Sequence, residues 1–185
     1  MFDVLYQYLA ARMELTQQQL EFIETLLIPK TLRKGEILIR EGEVCRFGTF
    51  VTQGCLRSYV VDDKGKEHVV QFAPETWWLT DLQSLATGEP TLYFIDAIED
   101  SEIILLKAEA HGKLMKTIPG FANAFQSGQH KHVAAKDKRI IASLVATAEE
   151  RFQNFLDKYP SIAQRVPQHM LASYLGVTPE TISRI

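Results

Sequence analysis

Between Pro29 and Lys107 the chain is cut by turn residues about every ten positions, and past Pro119 that rhythm stops. The runs between the turns are short and rich in β-branched and aromatic residues: Glu36 to Arg40, Phe47 to Thr52, Cys55 to Val61, Glu67 to Phe72, Tyr93 to Ile98 and Ile103 to Leu106. Glu41-Gly42-Glu43, Gln53-Gly54 and Asp62-Asp63-Lys64-Gly65 separate them, and Gly65 suits the positive φ of a hairpin turn. Strands this short and this regularly spaced predict an antiparallel sandwich or barrel. Ahead of them, Met1 to about Leu27 reads as helical, with Thr16 as an N-cap and Leu20, Ile23 and Leu27 at helical spacing.

After Pro119 the period becomes helical. Phe121 to about Ala146 lacks proline, and Val133, Ile140 and Leu144 fall seven and four apart, which places them on one face. Such a stripe packs on its own domain or pairs with a symmetry mate. Ala148 to Tyr159 is a second amphipathic helix, with Phe152, Phe155 and Leu156 on one side and Pro160 ending it. The division expected is a β domain with N-terminal helices over 1–118, a long helix over 119–146 and a small helical domain over 147–185. The class is α+β.

The last nineteen residues, PQHMLASYLGVTPETISRI, carry the functional signal. Pro167 stands where a helix can begin, and Met170, Leu171 and Leu175 supply its apolar side. Gly176 ends that helix, Thr178 can cap a second one, and Pro179 suits its first position. Ile182 and Ile185 are expected to face inward. Helix, tight glycine turn, helix is the helix-turn-helix layout. Thr178, Glu180, Thr181, Ser183 and Arg184 are then the residues offered to a ligand. Glu180 and Arg184 share a face, so an ordinary exposed ion pair is the plain alternative. In the functional reading Arg184 donates to guanine, Glu180 accepts from cytosine and holds Arg184 in place, and Thr178 with the helix N-terminus meets a phosphate.

Composition sets limits. With 46% hydrophobic and 23% charged residues the chain is that of an ordinary globular protein. No basic-then-apolar leader opens it and no apolar run is long enough to span a bilayer, so a cytoplasmic, non-membrane protein is expected. Cys45 and Cys55 match no zinc or cluster spacing and read as free thiols. His68 stands alone, and His130 and His132 are two apart on a helix; no metal or cofactor is expected. The net charge of −3 is unhelpful for DNA, but Lys131, Lys136, Lys138 and Arg139 cluster against Asp137 alone. Affinity for phosphates is then modest, and pairing of two chains is needed to raise it.

LGVTPETISRI closely resembles the recognition element of the Crp/Fnr superfamily of bacterial transcription regulators, and RKGEILIREGEVCRFGTFVTQGCLRSYVVDDKGKEHVVQF resembles its effector β-roll. The resemblance covers nearly the whole chain. It implies a cyclic-nucleotide-binding-like β-roll (a double-stranded β-helix of jelly-roll kind), a dimerisation helix from Phe121 and a winged helix-turn-helix. It also implies a homodimer on double-stranded DNA, with Glu180, Ser183 and Arg184 as base readers. The half-site would be TTGA-like, repeated in inverted order about one helical turn away. Family members continue beyond the point where this chain ends, so the 147–185 domain reads as truncated.

One departure bears on the signal. The family's nucleotide cassette carries a glycine-glutamate pair and later an arginine-serine pair; here Thr91 and Leu92 stand where arginine and serine are expected. No arginine lies between Arg57 and Arg139. A buried phosphate without a cation is costly, so cyclic AMP is not expected to bind in the usual manner. Trp77, Trp78 and Tyr93 fall in the same region. Filling the β-roll core is their ordinary use; alternatively, with Thr91 and Leu92, they wall a pocket for an unidentified small-molecule effector, or the pocket is plugged. Two rival functions remain: an effector module that lacks DNA binding and works through protein contacts, and an enzyme on a cupin-like barrel. The second lacks the clustered histidines and carboxylate it needs, so the chain is not expected to be an enzyme.

Overall fold

The computed structural model describes the backbone of residues 1–185 and the side chains of residues 1–126 and 133–185. Helices α1 (Phe2–Ala10) and α2 (Gln17–Glu24) come first. Strands β1 (Leu27–Leu32), β2 (Ile37–Ile39), β3 (Phe47–Gln53), β4 (Leu56–Val61), β5 (Glu67–Ala73) and β6 (Trp78–Leu79) follow. Helix α3 (Leu82–Thr87) then precedes β7 (Phe94–Ala97) and β8 (Ser101–Lys107). The rest is helical: α4 (Ala108–Thr117), α5 (Phe121–Val145), α6 (Ala148–Lys158), α7 (Pro160–Arg165), α8 (Gln168–Leu175) and α9 (Pro179–Arg184).

The strands form two antiparallel sheets, ordered β1-β8-β3-β6 and β2-β7-β4-β5. Consecutive strands switch sheets repeatedly, which rolls the chain into a sandwich. Side-chain alternation distributes the core. On β8, Ile103 and Leu105 point between the sheets, where they meet Val51, Leu56, Leu79 and Ile95. Ile104 and Leu106 point the other way, onto a helical layer with Leu5, Leu9, Ile23 and Leu114. This explains why Ile103 to Leu106 is an unbroken apolar run: both faces of that strand are covered. On the far side, Val69, Phe72 and Cys55 receive Phe155, Ile162, Leu171, Leu175 and Ile182 of the C-terminal helices. The order of layers is therefore N-terminal helices, first sheet, second sheet, C-terminal helices.

Local signals read from the sequence are used where they were expected. Thr16 caps α2 with a full capping box: its hydroxyl accepts the Gln19 N–H at 3.3 Å and the Gln19 side chain accepts the Thr16 N–H at 2.9 Å. Gly54 turns β3 into β4 at φ +89, and a Cβ there would sit 2.8 Å from the Asp100 carbonyl oxygen. Several elements differ from expectation. Residues 11–16 interrupt the N-terminal helix, and Leu27 opens β1 instead of closing a helix. β1 contains Pro29, which is tolerated because β1 is an edge strand. The run at 36–40 forms only the three-residue β2. Pro160 stops α6 and also starts α7, a helix the sequence pattern did not announce. No helix of the described residues is long and apolar enough to cross a membrane.

Candidate nucleic-acid interface

Helix α8 is held by burial of one face. Leu171, Ala172 and Leu175 are buried, and Met170 packs at the edge of the same cluster. Pro167 occupies the N-cap, one residue earlier than the first-turn position expected for it. Gly176 adopts φ 68, ψ 36, and the Val177 N–H returns to the Ala172 carbonyl at 3.0 Å. That six-to-one closure is why a glycine stands there: other residues resist the left-handed conformation. Thr178 is extended and caps α9, its hydroxyl accepting the Thr181 N–H at 3.2 Å.

Helix α9 and its cap present the residues singled out above. Thr178, Glu180, Ser183 and Arg184 are exposed and Thr181 is half-buried, while Ile182 anchors the helix. The Thr178 and Thr181 hydroxyls lie 3.1 Å apart and share a hydrogen bond. Ser183 donates back to the Pro179 carbonyl at 3.1 Å. The Glu180 backbone N–H and the Thr178 hydroxyl hold the Glu180 carboxyl below the usual carboxylate range, so it is charged at neutral pH. No ion pair joins Glu180 to Arg184 among the described residues, so the expected clasp between them is not made. Ile185 is 48% exposed, against the expectation that it faces inward, because it lies past the last turn of α9 and only Ile182 reaches the core.

The helix pair is docked on the second sheet. Ser173 of α8 accepts the Val69 N–H at 2.9 Å and donates to the Glu67 carbonyl at 3.0 Å, satisfying the open edge of β5. Arg165 grips Glu75 with two hydrogen bonds of 2.9 and 2.8 Å and also pairs with Glu99. Arg139 of α5 donates to the Val70 carbonyl at 2.7 Å with its guanidinium 4.6 Å from the Tyr174 ring centre. On other faces of α5, Val133 (53%), Ile140 (56%) and Leu144 (79%) are exposed, together with Ile141 and Val145. Spacing by sevens and fours picks out the first three; the last two widen the same stripe. His130, Lys131 and His132 lie outside the described side chains.

Residues 29–118 match the model of the Cyclic nucleotide-binding domain. The chain is 23% identical over 169 residues to "Transcriptional activator protein FnrA" of Stutzerimonas stutzeri, covering 84% of this chain and 68% of that protein. It is 24% identical to the "Fumarate and nitrate reduction regulatory protein" of Vibrio cholerae, covering 84% and 66%. The chain thus spans about two thirds of the length of these relatives. Among solved structures, FixK2 from Bradyrhizobium japonicum superposes with a TM-score of 0.73 at 21% identity, over 85% of this chain and 81% of that one. In sequence and in fold the chain is similar to these regulators.

Within this chain the residues read as a possible effector wall are not brought together. Trp77 packs toward the space between the sheets and meets the Tyr159 ring at 6.0 Å. Trp78 points to the opposite side, where it fills the core against Phe50 and Phe125. Leu92 is 68% exposed and Tyr93 half-buried. Thr91 is buried, and its hydroxyl donates to Asp81 at 2.7 Å. Asp81 also caps α3, accepting the Gln83 and Ser84 N–H groups. The donors at that helix start are therefore already satisfied by a carboxylate. A cyclic phosphate fits poorly beside it, since the two anions repel and no arginine is near in sequence.

The sequence reading missed Ser173 and Arg165, which seat the helix pair. Neither gives a one-dimensional signal; their partners lie 104 and 90 residues away. Both cysteines are buried free thiols, and burial pushes Cys55 up to about 12. No cluster of three or more metal-ligating side chains is found among the described residues.

Proposed function

We propose that the chain is a sequence-specific DNA-binding transcription regulator that acts as a homodimer on an inverted repeat of TTGA-like half-sites. The observation that carries the reading is α9: Ile182 is buried, and Glu180, Ser183 and Arg184 project into solvent from a helix capped by Thr178. In the major groove Arg184 reads guanine, Glu180 reads cytosine, and the capped N-terminus with Thr178 and Thr181 lies against a phosphate. The α5 stripe of Val133, Ile140 and Leu144 supports pairing with a second chain, which doubles the number of phosphate contacts. An electrophoretic mobility shift on a duplex carrying two TTGA half-sites tests this. Arg184→Ala is expected to weaken binding by about 1–3 kcal/mol and to relax preference at one base. Equal affinity for a scrambled duplex would exclude sequence-specific reading.

Cyclic AMP is not the controlling ligand in the usual manner. Thr91 and Leu92 provide no cation, and Asp81 occupies the start of α3. Calorimetry of cyclic AMP against the full chain is expected to show no specific heat; tight saturable binding would overturn this.

A further inference from the structure

A concavity lies on the surface, away from the space between the sheets. It is an open groove of about 740 Å³ walled by β5, α5, α6 and α8. That volume falls in the range of small-molecule sites. Its floor is apolar and aromatic: Val69, Val70, Phe155, Tyr159, Tyr174 and Leu175. Its polar lining is lopsided. Lys138, Arg139, Arg151 and Lys158 face one carboxylate, Asp157, which already accepts from Gln153 at 2.8 Å. His68, also on the rim, is taken by Asp62 at 2.8 Å. None of the four cations is in an ion pair among the described residues. The Nε of Arg151, one of the lining residues, is shielded from water and finds no acceptor.

We propose that this groove binds a small organic anion with an apolar or aromatic body. The floor takes the body, and the carboxylate, sulfonate or phosphate head meets Lys138, Arg151 and Lys158. A second copy of the chain is the competing occupant. The stripe suited to a copy shares only Ile140 with it: Val133, Ile141, Leu144 and Val145 do not line the groove. A symmetric contact through the groove would also bring the same cations face to face. The groove ends at Ser173 to Gly176, the segment that leads into α9, so an occupant touches the sandwich, the long helix and the helix-turn-helix at once. Binding of this anion stands whether or not the chain reads DNA.

The matched probes are 1-anilinonaphthalene-8-sulfonate and N-phenyl-1-naphthylamine, the same aromatic body without the sulfonate. Fluorescence titration of the full chain is expected to give one saturable sulfonate site per chain, with the neutral probe at least ~10-fold weaker. Lys138→Glu with Lys158→Glu should weaken the sulfonate probe at least ~10-fold while the circular dichroism spectrum stays unchanged. Ala142→Trp, filling the groove, should abolish both. Leu144→Asp, on the stripe, should leave the affinity as it was. Equal affinity for the two probes overturns the proposal, as does indifference to both the charge reversal and Ala142→Trp, or loss on Leu144→Asp. Were the double reversal to misfold, Lys138→Gln and Lys158→Gln taken singly decide: each must weaken the sulfonate probe, and no change in either overturns the proposal.

Discussion

His111 shows how one side chain sets a pH dependence that has nothing to do with DNA. Its ring lies 4.3 Å from that of Phe125 and 6.1 Å from that of Phe121, and its Nε2 is buried without a hydrogen-bond partner. Burial pushes its pKa below the ordinary 6.5. Below 6.5 the unfolded chain takes up a proton that the folded chain refuses, so stability present above that pH is lost as pH falls. His111→Leu keeps the contacts with the phenylalanines and has no proton to gain. The urea midpoint of the variant is expected to fall less between neutral pH and mild acid than that of the parent chain. An identical fall would place the acid sensitivity elsewhere.

At the scale of the element, α5 divides its labour between faces. One side is tied to the body through Arg139, while the stripe from Val133 to Val145 is left bare. Four of its five large apolar residues are packed into two turns, at 140, 141, 144 and 145. Exposed aliphatic surface of this density is costly in water unless a partner covers it. Ile140→Asp with Leu144→Asp is expected to convert a dimer into a monomer in sedimentation velocity and to abolish the mobility shift on the inverted repeat. A parent chain that sediments as a monomer at tens of micromolar would sink the dimer.

For the whole molecule, the question is how firmly the reading head is set on the sandwich. Arg165 spans the gap to Glu75 and Glu99, and Glu75 also accepts the Gly54 N–H at 2.9 Å. Burial alone would raise Glu75, but the Arg165 and backbone hydrogen bonds outweigh it and hold the carboxyl below its ordinary 4.5. This part of the docking is therefore intact above 4.5 and is lost as pH falls through the lower folded value. Arg165→Ala is expected to speed amide exchange across residues 160–184 at neutral pH, with β3 and β8 unaffected. Uniform acceleration over the whole chain would mean that the contact supports global stability and not docking.

Much of this was legible without coordinates, because the signals are local. Glycine at 65 and 176, threonine at 16 and 178, and proline at 179 act within four residues of themselves, so turn, cap and helix start can be read in one dimension. The alternation that builds the sheets and the helix-turn-helix that ends the chain follow from the same short-range rules. What the sequence could not determine is which faces meet. Trp77 and Trp78 are neighbours in the chain but fill different layers: Trp77 precedes β6 and packs toward the space between the sheets, while Trp78 on β6 points to the helical layer. Ser173 and Arg165 gain their roles from partners on β5 and at Glu75, and the cationic groove gathers residues from four elements separated by up to about a hundred positions. Long-range closure is decided by the packing of whole surfaces, and no single stretch of the chain records it.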